Sequence, residues 1–238
     1  VRKTRLLRCC TLTGIDPATG PGALRDLAAE FPFVEFGVLY SVSQAGSGRY
    51  PAMDWIERLV SDLGGPGGPA LALHVCGKAV FQFLDVERRS HVREVAAHFG
   101  RVQLNLRATV RTPGQIREAL ALAPAHQRII TQHNTCNAGL TTALLDADRH
   151  EVLFDASGGL GRLPDAWPDP ITGKPCGYAG GLGPDTLPLE LPRIAAAAGG
   201  QPYWIDMEGR IRDAHDRFDL VAARRALAVV SARLTPQP

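Results

Sequence analysis

The sequence carries almost no net charge and almost no lysine. Its 238 residues hold 26 Lys and Arg against 24 Asp and Glu, a formal charge of +2, and the only lysines are Lys3, Lys78 and Lys174. Both signs are mixed from end to end, so no basic face of the kind that grips a polyanion is present, and nucleic acid is not an expected partner. Long apolar runs are also missing. No window approaches the roughly 18 apolar residues of a membrane span, so no membrane contact is expected. The basic start Val1-Arg2-Lys3-Thr4-Arg5 is followed only by Leu6-Leu7 before another arginine, too little for the core of a signal peptide. Cysteine is sparse: Cys9, Cys10, Cys76, Cys136 and Cys176 are odd in number and include no CxxC pair, which argues against a disulfide framework and a zinc ribbon. A soluble cytoplasmic protein is expected, with its oligomeric state open.

What is present is a strict alternation. Short apolar or β-branched runs at Leu6–Cys10, Val34–Tyr40, Leu71–Val75, Val102–Leu106, Arg128–Gln132, Val152–Asp155, Cys176–Ala179 and Tyr203–Met207 read as strands. Between them, Gly22–Glu30, Ala52–Leu63, His91–Phe99, Pro113–Leu122, Leu140–Leu145, Thr186–Ala198 and Asp219–Leu234 have helical spacing. The Gly-, Pro- and Asp-rich stretch 157–174 reads as a long loop. Alternating strands and helices imply a parallel sheet, and eight units in 238 residues match a single (β/α)8 TIM barrel spanning 1–238. The doubly wound alternative lacks its G-x-G-x-x-G fingerprint, because the first strand runs into Thr11-Leu12-Thr13-Gly14-Ile15-Asp16-Pro17.

In such a barrel the chemistry lies at the carboxyl ends of the strands. The candidates there are Cys10, Arg49, His74 and Cys76, Asn105 and Arg107, Gln132-His133-Asn134, Asp155, Gly180-Gly181, and Asp206 with Glu208 and Gly209. Strand alternation is taken to turn Cys9 toward the helices and Cys10 toward the barrel interior. Trp167 is weighed as a cover for a substrate ring, against an ordinary packing role.

Four short motifs carry a resemblance. Arg8-Cys9-Cys10-Thr11-Leu12-Thr13, Ser47-Gly48-Arg49-Tyr50, Leu153-Phe154-Asp155-Ala156-Ser157-Gly158-Gly159-Leu160-Gly161 and Tyr178-Ala179-Gly180-Gly181-Leu182-Gly183-Pro184-Asp185 stand in order on the first, second, sixth and seventh strands. Together they resemble phosphoribosylanthranilate isomerase, the barrel enzyme of tryptophan biosynthesis. The resemblance implies a cofactor-free aldose–ketose isomerase working by an Amadori-type rearrangement on a small, phosphorylated substrate. It implies Asp155 as general acid, Cys10 as general base, Arg49 as a substrate clamp and Gly180-Gly181 as the phosphate turn. His74, Asn105, His133, Asp206, Glu208 and Gly209 are then substrate-binding candidates. Two departures stand out: Thr11 replaces a glycine, and Asp206-Met207-Glu208-Gly209 replaces the family's Asp-x-Ser-Ser-Gly. Glu208 repels a phosphate unless a cation such as Arg210 or Arg212 intervenes, and left unpaired it excludes one.

Two other readings stay open at this point. His74, His133 and Asp155 sit at neighbouring strand ends and are a possible ligand set for a metal-dependent lyase or epimerase. A barrel that binds a ligand without catalysis is the other.

Overall fold

The computed structural model describes residues 6–65, 67–109, 111–156 and 158–234. All eight expected strands form: β1 (Leu7–Thr13), β2 (Val34–Ser41), β3 (Ala70–Cys76), β4 (Arg101–Asn105), β5 (Arg128–His133), β6 (His150–Phe154), β7 (Cys176–Ala179) and β8 (Tyr203–Met207). Each pairs in parallel with the next and β8 returns to β1, so the sheet closes into a barrel. Closure leaves no edge strand, and the helices cover its outer surface. They are α1 (Pro21–Glu30), α2 (Met53–Leu63), α3 (Lys78–Leu84), α4 (His91–Ala96), α5 (Thr112–Leu122), α6 (Ala138–Ala143), α7 (Leu187–Ala197) and α8 (Leu220–Leu234). This is the expected single (β/α)8 architecture.

One element differs from the sequence reading. Helix α3 was not anticipated: at seven residues it shows barely two turns of periodicity, although Ala79, Val80, Phe83 and Leu84 form its buried face. In α8 the buried stripe is Ala223, Ala226, Leu227 and Val230, while Val221 points to solvent. As expected, no helix links β6 to β7 among the described residues. Trp167 in that connection is buried, donates from Nε1 to Glu190 Oε2 at 2.7 Å and packs edge-on against Tyr178. It is a packing residue. Ser157 of the third motif lies outside the described residues.

The outer core is apolar, but the barrel's interior is ionic. TIM-barrel interiors are ordinarily filled by branched aliphatic side chains. Here Arg101 of β4 donates to Glu35 of β2 at 2.7 and 3.0 Å, to Glu151 of β6 at 3.1 Å and to Thr11 of β1 at 3.1 Å. Its guanidinium lies 4.4 Å from the ring centroid of Trp204, which fills the space beside it. Burial of these charges is tolerable because each is paired and hydrogen-bonded.

Trp204 in turn lies across Gly177 of β7: a Cβ there would stand 2.1 Å from Trp204 Cε2. The indole belongs to a rigid ring wedged inside a closed barrel and has nowhere to retreat. Gly177→Ala is therefore expected to destabilise the fold by about 1–3 kcal/mol through overpacking, measured as a lower urea midpoint at unchanged slope.

Candidate active site

The ionic layer fixes which side of each strand faces inward. Thr11 Oγ1 donates to Glu35 at 2.8 Å and Thr13 Oγ1 donates to Asp206 Oδ1 at 2.7 Å, so the odd-numbered residues of β1 point into the barrel. Cys9 accordingly packs toward the interior cluster of Ile130, Leu153 and Trp204. Cys10 points the other way. It is fully buried in the apolar layer that includes Leu24, Leu27 and Ile56, and burial pushes its thiol well above the usual range. The assignment of Cys10 as a catalytic base is overturned, because neither its direction nor its protonation suits the role.

Above the ionic layer, at the carboxyl ends of the strands, lies a cavity of about 520 Å³. Its floor is Thr13, His74, Gln103 and Asp206; its walls include Asn105, Gln132, Asp155, Gly180 and Gly181; Arg49, Glu208, Gly209 and Arg210 also line it. His74 fits because Gly37 on the neighbouring strand has no side chain: a Cβ there would sit 2.5 Å from Thr13 Oγ1 and 3.1 Å from His74 Nε2. Burial, helped by the Arg101 charge below, lowers the His74 pKa to about 3, so the imidazole is neutral. Asp206 Oδ2 stands 4.0 Å from His74 Nε2. Burial raises the Asp206 carboxyl pKa well above its ordinary value, against the Thr13 hydrogen bond that lowers it. Asp155 closes β6 at 5% exposure and accepts from Gln132 Nε2 at 3.0 Å.

These shifts predict an acid limb of stability. His74 and His150 are both held neutral by burial with pKa values near 3, whereas in the unfolded chain histidine takes up a proton near 6.5. The unfolded state binds more protons between those values, so this contribution is complete above the unfolded value and falls as pH drops toward 3. Asp206 works in the opposite sense, since its raised folded pKa favours folding at low pH. An Asp206→Asn variant is therefore expected to show a steeper loss of the unfolding midpoint between pH 6.5 and 4 than the parent chain.

The rim residues are tied to one another. Arg49 pairs with Glu208 and also donates through Nε to Asp216 Oδ2 at 3.2 Å. Burial alone would lower its pKa, but the hydrogen bonds to Asp216 and Glu208 raise it, and its donors are engaged inside the protein. Arg49 therefore lines the cavity but stands as a partner of Glu208 more than as a free clamp. Arg212 is buried and bound to Asp16 at 3.0 Å and Asp216 at 2.8 Å, which makes it a structural pin. Arg210 differs: it lines the cavity, is exposed, and its guanidinium has no hydrogen bond or ion pair among the described residues. Its side-chain stem lies against Gly183, where a Cβ would come within 2.4 Å of Arg210 Cβ.

Gly180 and Gly181 have φ of 115° and 63°, a conformation that side-chain-bearing residues rarely adopt. Added carbon at Gly181 would also stand 2.7 Å from the Leu163 amide nitrogen. The hydroxyl of Thr186 accepts from the Gly183 amide at 3.0 Å and donates to Gly181 O at 3.0 Å, closing this turn.

His133 does not reach the cavity. With Gln132 inward, His133 turns to the helix layer, where Nδ1 is 2.9 Å from Thr141 Oγ1 and the ring packs edge-on against Phe154. The proposed set of His74, His133 and Asp155 is thus split between the two faces of the sheet, and both the ligand set and the substrate-binding role of His133 are withdrawn. Among the described residues no group of three His, Cys, Asp or Glu side chains is placed to hold a metal ion. Gln103 and Thr13 were missed, although their parity with Asn105 and Thr11 was readable.

The architecture defines a class: a (β/α)8 barrel with a polar, carboxylate-bearing cavity at the carboxyl ends of its strands. Solved structures of the same build carry a more particular name. The structure of TrpF from Jonesia denitrificans is 18% identical, with a TM-score of 0.65 over 96% of this chain and 99% of the other. Phosphoribosyl anthranilate isomerase from Thermus thermophilus is 19% identical, with a TM-score of 0.65 over 94% and 99%. A phosphoribosyl anthranilate isomerase in complex with reduced 1-(o-carboxyphenylamino)-1-deoxyribulose 5-phosphate is 14% identical, with a TM-score of 0.60 over 95% and 100%. No family model and no curated protein matches the sequence. The likeness is one of fold across the whole barrel, and it agrees with the resemblance carried by the four motifs. No helix among the described residues is long and apolar enough to cross a membrane.

Proposed function

We propose that the chain is an acid–base isomerase of the phosphoribosylanthranilate isomerase type, converting an aminoaldose to an aminoketose on an anionic sugar. The observation that carries this reading is a pair of buried carboxylates, Asp155 and Asp206, on one cavity. Two carboxyls on one cavity suit proton donation and proton removal on one substrate, and the burial that raises the Asp206 pKa makes its ionised form a stronger base than an ordinary carboxylate. Asp155 gives its proton to the ring oxygen, the C1–O bond breaks and the nitrogen lone pair forms the C1=N bond. Asp206 then takes the C2 proton; the C2–H electrons form the C1=C2 bond of the enolamine as the C1=N π pair returns to nitrogen. Return of a proton to C1 and loss of the C2 hydroxyl proton to Asp155 yield the ketone, so that both carboxyls end as they began. Asp206 lies against β1 through Thr13, so it supplies a base at the side of the cavity where the resemblance expects a cysteine.

The anionic end of the substrate is assigned to the Gly180-Gly181 turn and Arg210. Glu208 does not oppose it, because Arg49 neutralises Glu208. Arg210→Ala is expected to raise KM about tenfold or more with little change in kcat, as for an uncompensated loss of an anion contact.

The direct test is turnover of freshly made phosphoribosylanthranilate, followed by loss of its fluorescence. Turnover supports the reading with this substrate. Absence of turnover overturns it and leaves a ligand-binding barrel.

A further inference from the structure

We propose that Gln103 recognises a sugar hydroxyl on the carbon adjoining the reacting centre, and so restricts the substrate to sugars that carry a free hydroxyl there. Gln103 lies on the cavity floor at 3% exposure, and its Oε1 is buried with no hydrogen-bond partner among the described residues. The direction of the amide follows from its neighbours. The Cys76 thiol points its proton at the His74 carbonyl, 3.7 Å away, and burial pushes that thiol up to about 11, so it keeps the proton. Its sulfur is then an acceptor for Asn105 Nδ2, at 3.2 Å. Asn105 Oδ1 in turn accepts from Gln103 Nε2 at 2.9 Å. This relay from β3 to β4 engages an N–H of the Gln103 amide and so fixes its orientation, leaving the carbonyl oxygen as the acceptor without a partner.

Buried acceptors without a donor are rare in folded proteins, and one placed on a cavity floor calls for a donor from the ligand. His74 pairs in register with Gln103 across β3 and β4, and its Nε2 stands 4.0 Å from Asp206 Oδ2. The orphan oxygen is therefore one side chain away from the carboxylate that faces the reacting carbon. A hydroxyl at the next carbon meets the need: it donates to Gln103 and takes no part in the proton transfers. The inference rests on the isomerase reading in taking Asp206 to face that carbon.

Calorimetric titration with D-ribose 5-phosphate and with its 3-deoxy counterpart tests it. The parent chain is expected to bind ribose 5-phosphate about tenfold more tightly, because the 3-deoxy sugar leaves the buried acceptor unpaired. Gln103→Met, of similar length and without the acceptor, is expected to bind both alike; Gln103→Leu repeats the comparison if the first variant does not fold. Equal binding by the parent chain, no binding of ribose 5-phosphate, or discrimination that survives in the variant overturns the proposal. If the discrimination holds and depends on Gln103 while phosphoribosylanthranilate is not turned over, hydroxyl recognition stands and the isomerase reading falls. Turnover without discrimination gives the reverse.

Discussion

Replacing Asp206 by Asn is expected to lower kcat for phosphoribosylanthranilate by about 10²- to 10⁴-fold, the usual contribution of a positioned acid or base, while Cys10→Ala leaves it within about threefold, a spread within the context-dependence of such effects. The contrast follows from direction. Asp206 lines the cavity, and Cys10 is buried outside it among the helices. Asparagine keeps an oxygen to accept from Thr13, so the variant is expected to fold, which circular dichroism and an unfolding curve check. Asp155→Asn is expected to lose activity to a similar degree through the other half of the acid–base cycle.

The pH profile supplies a second readout. As the proposed base, Asp206 acts only when ionised, and burial raises its pKa, so kcat/KM is expected to rise with pH through that elevated value rather than through the ordinary carboxyl range. A full-activity Asp206→Asn variant together with an inactive Cys10→Ala variant would sink the assignment and restore the cysteine.

The second large effect concerns the barrel interior. Arg101→Met is expected to destabilise the fold by about 3–5 kcal/mol, because it leaves carboxylates buried without their cation. Glu151 keeps partial compensation from Arg8 at 3.1 Å and Arg128 at 3.5 Å, both of which reach the solvent end of the barrel. Among the described residues Glu35 has no such reserve: its other side-chain hydrogen bond comes from the neutral Thr11 hydroxyl. A combined Arg101→Met, Glu35→Gln, Glu151→Gln variant is expected to recover much of the loss, since removing all three charges removes the burial penalty as well. Urea midpoints of the three proteins decide the matter; a loss below about 1 kcal/mol in Arg101→Met would mean that the network contributes no more than surface pairs do.

The motif residues that ended strands or opened turns were legible in the chain. Asp155, Asn105, Asp206 and the Gly180-Gly181 turn all line the cavity, because a strand end in a parallel barrel faces its mouth. Less legible were residues whose meaning depends on a distant partner. Arg49 read as a free cation, and only the approach of Glu208 and Asp216 from beyond β8 shows that it is engaged. Glu35, Arg101 and Glu151 each look like an isolated polar interruption of an apolar strand, the pattern of a solvent-facing position. They meet only when the eight strands close.

By itself the sequence determined how many strands there are, and the order in which they alternate with every helix but the short α3, since apolar runs punctuated by Gly, Pro and helical spacing depend on nearby residues alone. Tertiary structure decided which face of each strand looks inward. A strand's side chains alternate with a period of two, so a one-residue change of parity exchanges interior and exterior. Cys9 and Cys10 are nearly identical as chemistry, as are the positions of Gln132 and His133 at the end of β5. The ionic layer, in which Thr11, Glu35, Arg101 and Glu151 lower their burial cost only by finding one another, turned Cys9 in and Cys10 out. Likewise the inward turn of Gln132 toward Asp155 leaves His133 among the helices.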